Sequence, residues 1–219
     1  MNNDFNKFYK SYSGKTDIGL YNYINATHQP VILEQTQLKA TAVDVFSRLM
    51  MDRIVFLGDS IDNELSNIIT AQLLWLNTND NKTPIQLYIN SPGGSVIDGL
   101  QIYDTMKLIK SPVHTICTGL SASMAAILLS GGDKRASLPH SRIMIHQPRG
   151  GVVGTAIDMD IANKEMQNIK KVLVDILSNN TNKSPKQISK DIDRDNWMTA
   201  KEALDYGLID EICNKNKSI

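Results

Sequence analysis

The chain has 219 residues, 42% of them hydrophobic, with 23 basic and 23 acidic side chains and a formal net charge of zero. That length suits one large domain or two small ones and suffices to bury a core. A neutral chain offers no positive field for nucleic acid, and its longest apolar run, Met124 to Leu129, falls far short of the roughly 20 residues of a membrane-spanning helix. Neither nucleic acid nor a membrane is therefore an expected partner, while neutrality permits self-association. No apolar stretch follows a basic one after Met1, so no secretory signal is expected. Cys117 and Cys213 lack CxxC spacing; neither a disulfide framework nor a metal site is expected, and a reducing compartment is the default.

Residues 1–30 are polar and aperiodic. Ala42, Val45, Phe46, Leu49 and Met50 recur at helical spacing, and Arg53 to Gly58 reads as a buried strand. Asp62 to Asn77 predicts an amphipathic helix with Leu65, Ile68, Ile69, Gln72, Leu73 and Leu76 on one face. Ile85 to Asn90 predicts a strand, Ser91 to Gly94 a turn, and the following residues a helix to about Lys110. A strand over Val113–Thr118 meets Gly119 and leads to a helix over Ser123–Ser130. Strand and helix alternating at this spacing imply βαβ units and a parallel sheet. Beyond a strand at Ser141–His146, the stretch Gln147 to Gly154 is too Gly-rich for a helix. Thr155 with Asp158 opens a capping box, and helical spacing persists to about Asn180. Such a helix, about 36 Å long at 1.5 Å per residue, is long for one compact domain, so part of it is expected to pack on another subunit. Helices start at Ser184 and Thr199, the latter ending at Gly207, and Leu208–Cys213 predicts a last strand.

Two strand–glycine–helix junctions could carry chemistry. Gly93 and Gly94 leave N–H groups unobstructed at a helix start, a natural oxyanion cradle. A phosphate loop is excluded: Gly94 and Gly99 have the Walker A separation, but Leu100-Gln101 stands in place of Lys-Ser/Thr. The second junction, Gly119 to Ala126, has the logic of a nucleophile elbow, with Ser121 and Ser123 both eligible. Of the four histidines, His28 lies in the irregular start, His114 sits mid-strand and His140 in a turn. His146, ending a strand, is the best general base. Asp158, Asp160, Asp191, Asp193 and Asp195 all qualify as the carboxylate that would orient it.

Taken together, Tyr88 to Ser95, Ile102 to Met106, Thr115 to Gly119, Ala122 to Met124, Met144 to Pro148, Asp193 to Asp195 and Asp205 to Asp210 resemble the proteolytic-subunit family of the Clp protease (ClpP), from about Pro30 to Cys213. The resemblance implies a ClpP/crotonase-type α/β core of repeated βαβ units with a protruding strand–helix handle at about 149–180. Residues 30–219 would form the protease domain and residues 1–29 an extension open to processing. Ser123 matches the nucleophile, His146 the base and Asp195 the orienting carboxylate. Gly94 and Met124 match the oxyanion-hole donors. Gly150 and Gly151 match the start of an extended strand beside the substrate, and Asp193 and Arg194 a ring–ring contact. Tyr88 and Leu108 match the apolar site where an unfoldase docks. The implied protein is a cytoplasmic serine endopeptidase for unfolded polypeptides, a homo-oligomer of two stacked seven-membered rings. An AAA+ unfoldase of the ClpX, ClpA or ClpC type would feed it and use the ATP, the chain itself needing no cofactor.

The sequence departs from the family in places. The loop between Ser123 and His146 is slightly shortened near Gly131–Lys134, Ala125 replaces a glycine, Thr155 and Asp160 replace handle Gln and Glu, and Gln86 and Ala136 are less apolar or smaller than usual. Two rival functions share these features: a crotonase-like acyl-CoA enzyme using the same oxyanion cradle, and a non-catalytic ring subunit.

Overall fold

The computed structural model describes residues 31–36 and 39–214, with side chains from Asp44 onward. The expected extension over residues 1–29 lies outside the described residues. The chain divides into two compact units, one ending at Asp52 and one beginning at Arg53. In the first, β1 (Val31–Thr36) and β2 (Lys39–Asp44) form an antiparallel hairpin, with Val31 opposite Asp44 and Thr36 opposite Lys39. Helix α1 (Val45–Met51) follows, its first turn capped by the Asp44 carboxylate, which accepts the Ser47 N–H at 2.9 Å. Ala42, read from its spacing as helical, is therefore in a strand. An N-cap residue is itself extended, so Asp44 marks the change of backbone that hydrophobic spacing does not show.

The second unit is built on a seven-stranded sheet. Strands β3 (Ile54–Leu57), β4 (Ile85–Ser91), β5 (Val113–Ala122), β6 (Lys134–Ser137) and β9 (Glu211–Ile212) are parallel neighbours in that order. The sheet forks at β5. Its first part, His114–Cys117, pairs with β6, and its last part, Leu120–Ala122, pairs with β7 (Arg142–Ile145). Strand β8 (Asn196–Thr199) adds antiparallel to β7 and brings residues near 195 beside His146. The α/β fold of βαβ units is thus as expected, but β5 is longer than predicted, and β6 and β8 were not predicted. Both are four-residue strands, too short to show a period of their own.

The crossover helices are α2 (Asn63–Asn79), α3 (Val96–Leu108) and α4 (Met124–Ser130). Ile85, Leu87 and Ile89 of β4 are fully buried, as is usual for parallel strands covered on both faces. Helix α2 buries Ser66, Ile69, Leu73 and Leu76, while Ile68, placed on the core face from the sequence, is exposed. Ser66 takes the core position because its hydroxyl is satisfied there, by the Asn63 carbonyl at 3.2 Å and Gln101 at 3.3 Å. Gly99 has a packing reason. A Cβ there would lie 2.2 Å from Met124 Cγ, so α3 yields the space into which the Met124 side chain packs.

Helix α5 (Ala156–Thr181) carries the expected capping box between Thr155 and Asp158 and ends at Asn182 in the left-handed conformation. Helices α6 (Pro185–Asp191) and α7 (Ala200–Tyr206) follow, capped by Ser184 and Thr199. Residues 146–155 join no ladder among the described residues, so the strand expected at Gly150 and Gly151 is here an unpaired connection. No helix among the described residues is long and apolar enough to cross a membrane.

Candidate active site

The site begins where β5 becomes α4. Ser123 has φ 55° and ψ −124°, a conformation non-glycine residues rarely adopt and one that strand-to-helix nucleophile elbows use to lift a hydroxyl clear of the backbone. The neighbouring strand holds it there, since the Ser123 N–H donates to the Met144 carbonyl at 2.8 Å. The alternative, Ser121, is fully buried within the ladder. Its hydroxyl has no partner among the described residues, and no substrate could reach it.

His146 follows directly on β7. Its Nε2 lies 2.8 Å from Ser123 Oγ and its Nδ1 3.1 Å from Asp195 Oδ1, so three residues distant in sequence form one hydrogen-bonded chain. The loop at 131–134, expected from the sequence to be short, is tied to the start of β5 by the Asp133 N–H to the Val113 carbonyl and by the Val113 N–H to Asp133 Oδ2, each 2.7 Å.

Gln147 ties the segment that carries His146 to the one that leads to Asp195. Its backbone N–H donates to the Ile192 carbonyl at 2.7 Å and its Nε2 to the Asp193 carbonyl at 2.9 Å, while its Oε1 accepts from Lys170 Nζ of α5 at 2.8 Å. The Arg149 guanidinium in turn donates to Asp195 Oδ1, the oxygen His146 also uses. Partial desolvation pushes the Asp195 carboxyl up, but the hydrogen bonds from His146 and Arg149 and the Arg149 charge together hold it below the usual carboxylate value. Gln147 and Arg149 were not singled out from the sequence. Their only signal was adjacency to His146.

The glycine turn faces the elbow. Gly93 (φ 90°) lies so close that a Cβ there would be 2.8 Å from Ser123 Cβ and 2.9 Å from the Met124 nitrogen. Gly94 (φ 151°) bridges to Ile61, and a Cβ on it would strike the Ile61 carbonyl oxygen at 2.2 Å. Ser91 Oγ accepts the Gly93 N–H at 3.1 Å. The N–H groups of Gly94 and Met124 have no acceptor among the described residues.

The other candidates lie apart from this centre. His114 is half-buried on β5, and burial, then the Lys134 charge, pushes its pKa down. His140 is exposed in a turn, and His28 lies outside the described residues. Asp158 caps α5, Asp160 is exposed, and Asp191 accepts from the Tyr206 hydroxyl at 2.7 Å. Asp193 and Arg194 are exposed, 3.9 Å apart. Gly150 and Gly151 are exposed just beyond Arg149. On the sheet, Tyr88 is half-buried and stacks on Phe56 with ring centroids 5.4 Å apart, whereas Leu108, ending α3, is 79% exposed.

A serine on a strand–helix elbow, bonded to a histidine that is bonded to an aspartate, defines a serine hydrolase on an α/β sheet. Comparison with known proteins narrows the class. Residues 36–216 match the family model described as Clp protease. The chain is 50% identical over 220 residues to the ATP-dependent Clp protease proteolytic subunit of Porphyromonas gingivalis, covering 98% of this chain and 99% of that one. It is 50% identical over 217 residues to the Bacteroides fragilis (strain YCH46) protein of the same description, covering 97% and 99%. Against subunit 1 of Salinibacter ruber the identity is 48% over 188 residues, covering 85% and 81%. The chain belongs to the Clp protease family, and it is a serine peptidase.

Proposed function

We propose that Ser123, His146 and Asp195 are the catalytic triad of this peptidase and that the N–H groups of Gly94 and Met124 form its oxyanion hole. The observation that carries this reading is the continuous hydrogen-bonded chain from Ser123 Oγ through His146 to Asp195. Neutral His146, its Nδ1–H held by Asp195, takes the Ser123 proton on Nε2 as Oγ attacks the scissile carbonyl. The Gly94 and Met124 N–H groups, which have no protein acceptor, hold the oxyanion. His146 then passes its proton to the leaving amine, giving an acyl-enzyme. Water, deprotonated by His146, adds to the acyl carbon, and collapse of that second intermediate frees the acid and returns the proton to Ser123. No step needs a cofactor or a metal.

The subunit would act within two stacked seven-membered rings, on unfolded polypeptides delivered by an ATP-using AAA+ unfoldase in the cytoplasm. The exposed apolar residues at the start of α5 support burial in an assembly. The exposed Asp193 and Arg194 are available for a ring–ring contact, the exposed Leu108 and the half-buried Tyr88 offer the unfoldase apolar surface, and the unpaired backbone at Gly150 and Gly151 can lie along a substrate strand.

Fluorophosphonate labelling of the assembled protein, with cleavage of a fluorogenic peptide, tests the site. Labelling and turnover should appear in the wild type and vanish in Ser123→Ala. An assembled particle that neither labels nor cleaves would instead favour the non-catalytic subunit or the acyl-CoA enzyme. Light scattering tests the chamber: a monomer or dimer under conditions of activity would sink it.

A further inference from the structure

The Asp195 carboxylate is 38% exposed, well short of the burial that would hold a triad aspartate in place by packing alone. Its Oδ1 accepts from two donors, His146 Nδ1 and the Arg149 guanidinium. Arg194, the cation adjacent in sequence, points elsewhere: its nearest carboxylate is Asp193, at 3.9 Å. Of the other charges nearby, Lys190 and Asp191 end α6, and Asp191 is engaged by the Tyr206 hydroxyl. Lys170 of α5 is engaged by Gln147. Arg149 is thus the cation that holds this carboxylate, and it is the residue immediately before Gly150 and Gly151.

We propose that Arg149 is a positioning residue for Asp195, fixing the carboxylate that orients His146 and tying triad alignment to the segment that begins at Gly150. The inference rests on the triad assignment above. The Arg149 guanidinium donates one charge-assisted N–H to Asp195 Oδ1, a contact that restrains a half-exposed carboxylate. It also withdraws part of the carboxylate's charge from His146, which gives it a signature that loss of packing would not produce.

The test uses the full-length assembled protein, a fluorogenic peptide, and the variants Arg149→Leu, Arg149→Gln and Arg149→Lys, each checked for particle size. Loss of one exposed charge-assisted contact predicts that Arg149→Leu lowers kcat by about three- to tenfold, with KM within about twofold. Removing the cation leaves the full Asp195 charge facing His146, so the acidic limb of kcat/KM should move to higher pH. Arg149→Gln, which keeps most of the stem, should show the same shift even if Arg149→Leu assembles poorly. Arg149→Lys should restore part of kcat. Wild-type kcat with an unmoved acidic limb in Leu and Gln variants would overturn the inference, as would a rise in KM alone, which would make Arg149 a substrate contact. Inactivity of the assembled wild type would instead overturn the triad assignment.

Discussion

The two ends of α5 meet different surroundings. Towards its C-terminus Leu173, Val174, Leu177 and Thr181 are buried, and the last turn is clamped by Arg135 of β6, whose Nη1 donates to the Asn180 carbonyl at 2.7 Å. Towards its N-terminus Ile157 is 71% and Ile161 63% exposed, and Val153, in the connection before it, lies almost wholly in solvent. Both stretches are apolar at helical spacing, so amphipathicity alone does not say which half packs on its own subunit. One half of the helix is held by this chain's core. The other exposes Ile157 and Ile161 beyond its capping box, an apolar surface suited to a protein contact.

The largest effect expected lies where the core meets the site. Gly94→Ala forces a Cβ against the Ile61 carbonyl, would displace the proposed oxyanion donor, and should lower kcat/KM for a fluorogenic peptide by about 10²- to 10³-fold. Retained activity would remove Gly94 from the oxyanion hole. In the packed half of α5, Leu177→Ala should destabilise the subunit by about 2–5 kcal/mol in denaturant unfolding. In the unpacked half, Ile157→Asp with Ile161→Asp should change subunit stability by under about 0.5 kcal/mol yet reduce the particle size by light scattering. Equal unfolding losses from both halves would abolish the contrast drawn above.

Arg135 offers a test by pH. Its Nη2 lies 2.5 Å from Asp210 Oδ1, and its Nη1 also reaches the Gly207 carbonyl at 2.9 Å. Partial burial raises the Asp210 carboxyl, but Arg135 outweighs it and holds the group below its ordinary value. A depressed carboxylate stabilises the fold above the unfolded-state pKa and loses that contribution as pH falls through the folded-state value. The wild type should therefore lose stability between about pH 4 and lower values more steeply than Arg135→Met, with Asp210's half-exposure keeping the difference to about 1 kcal/mol or less. Parallel acid-unfolding curves would show that the pair contributes nothing. A similarly small effect is expected from Asp158→Ala, which removes half a capping box and should lower helix stability by about 0.5–1 kcal/mol by circular dichroism.

What could be read from the sequence follows from range. Thr155 with Asp158, Ser184 with Gln187 and Thr199 with Glu202 cap helices over three residues, so local chemistry sufficed to place them. The βαβ alternation and the two glycine junctions were equally local. Ser121 and Ser123, in contrast, could not be separated by position, and five aspartates remained eligible until the family resemblance selected Asp195. The reason is visible at Ser121, which is removed from consideration by burial in a ladder contributed by a strand some twenty residues later. Strand β8, which carries Asn196 to Thr199 alongside β7, brings Asp195 to His146, yet it has no periodic signal in four residues.

The sequence by itself therefore determined the class of fold, the caps, the elbow and the histidine at a strand end, because each is a matter of backbone chemistry within a few neighbours. Tertiary structure decided which serine faces the cleft, which carboxylate meets His146, and that Gln147 and Arg149 form hydrogen bonds around the pair. It also decided which half of α5 is core and which stays exposed. Those outcomes depend on packing and hydrogen bonding between residues 23 and 49 positions apart, distances over which no local pattern carries information.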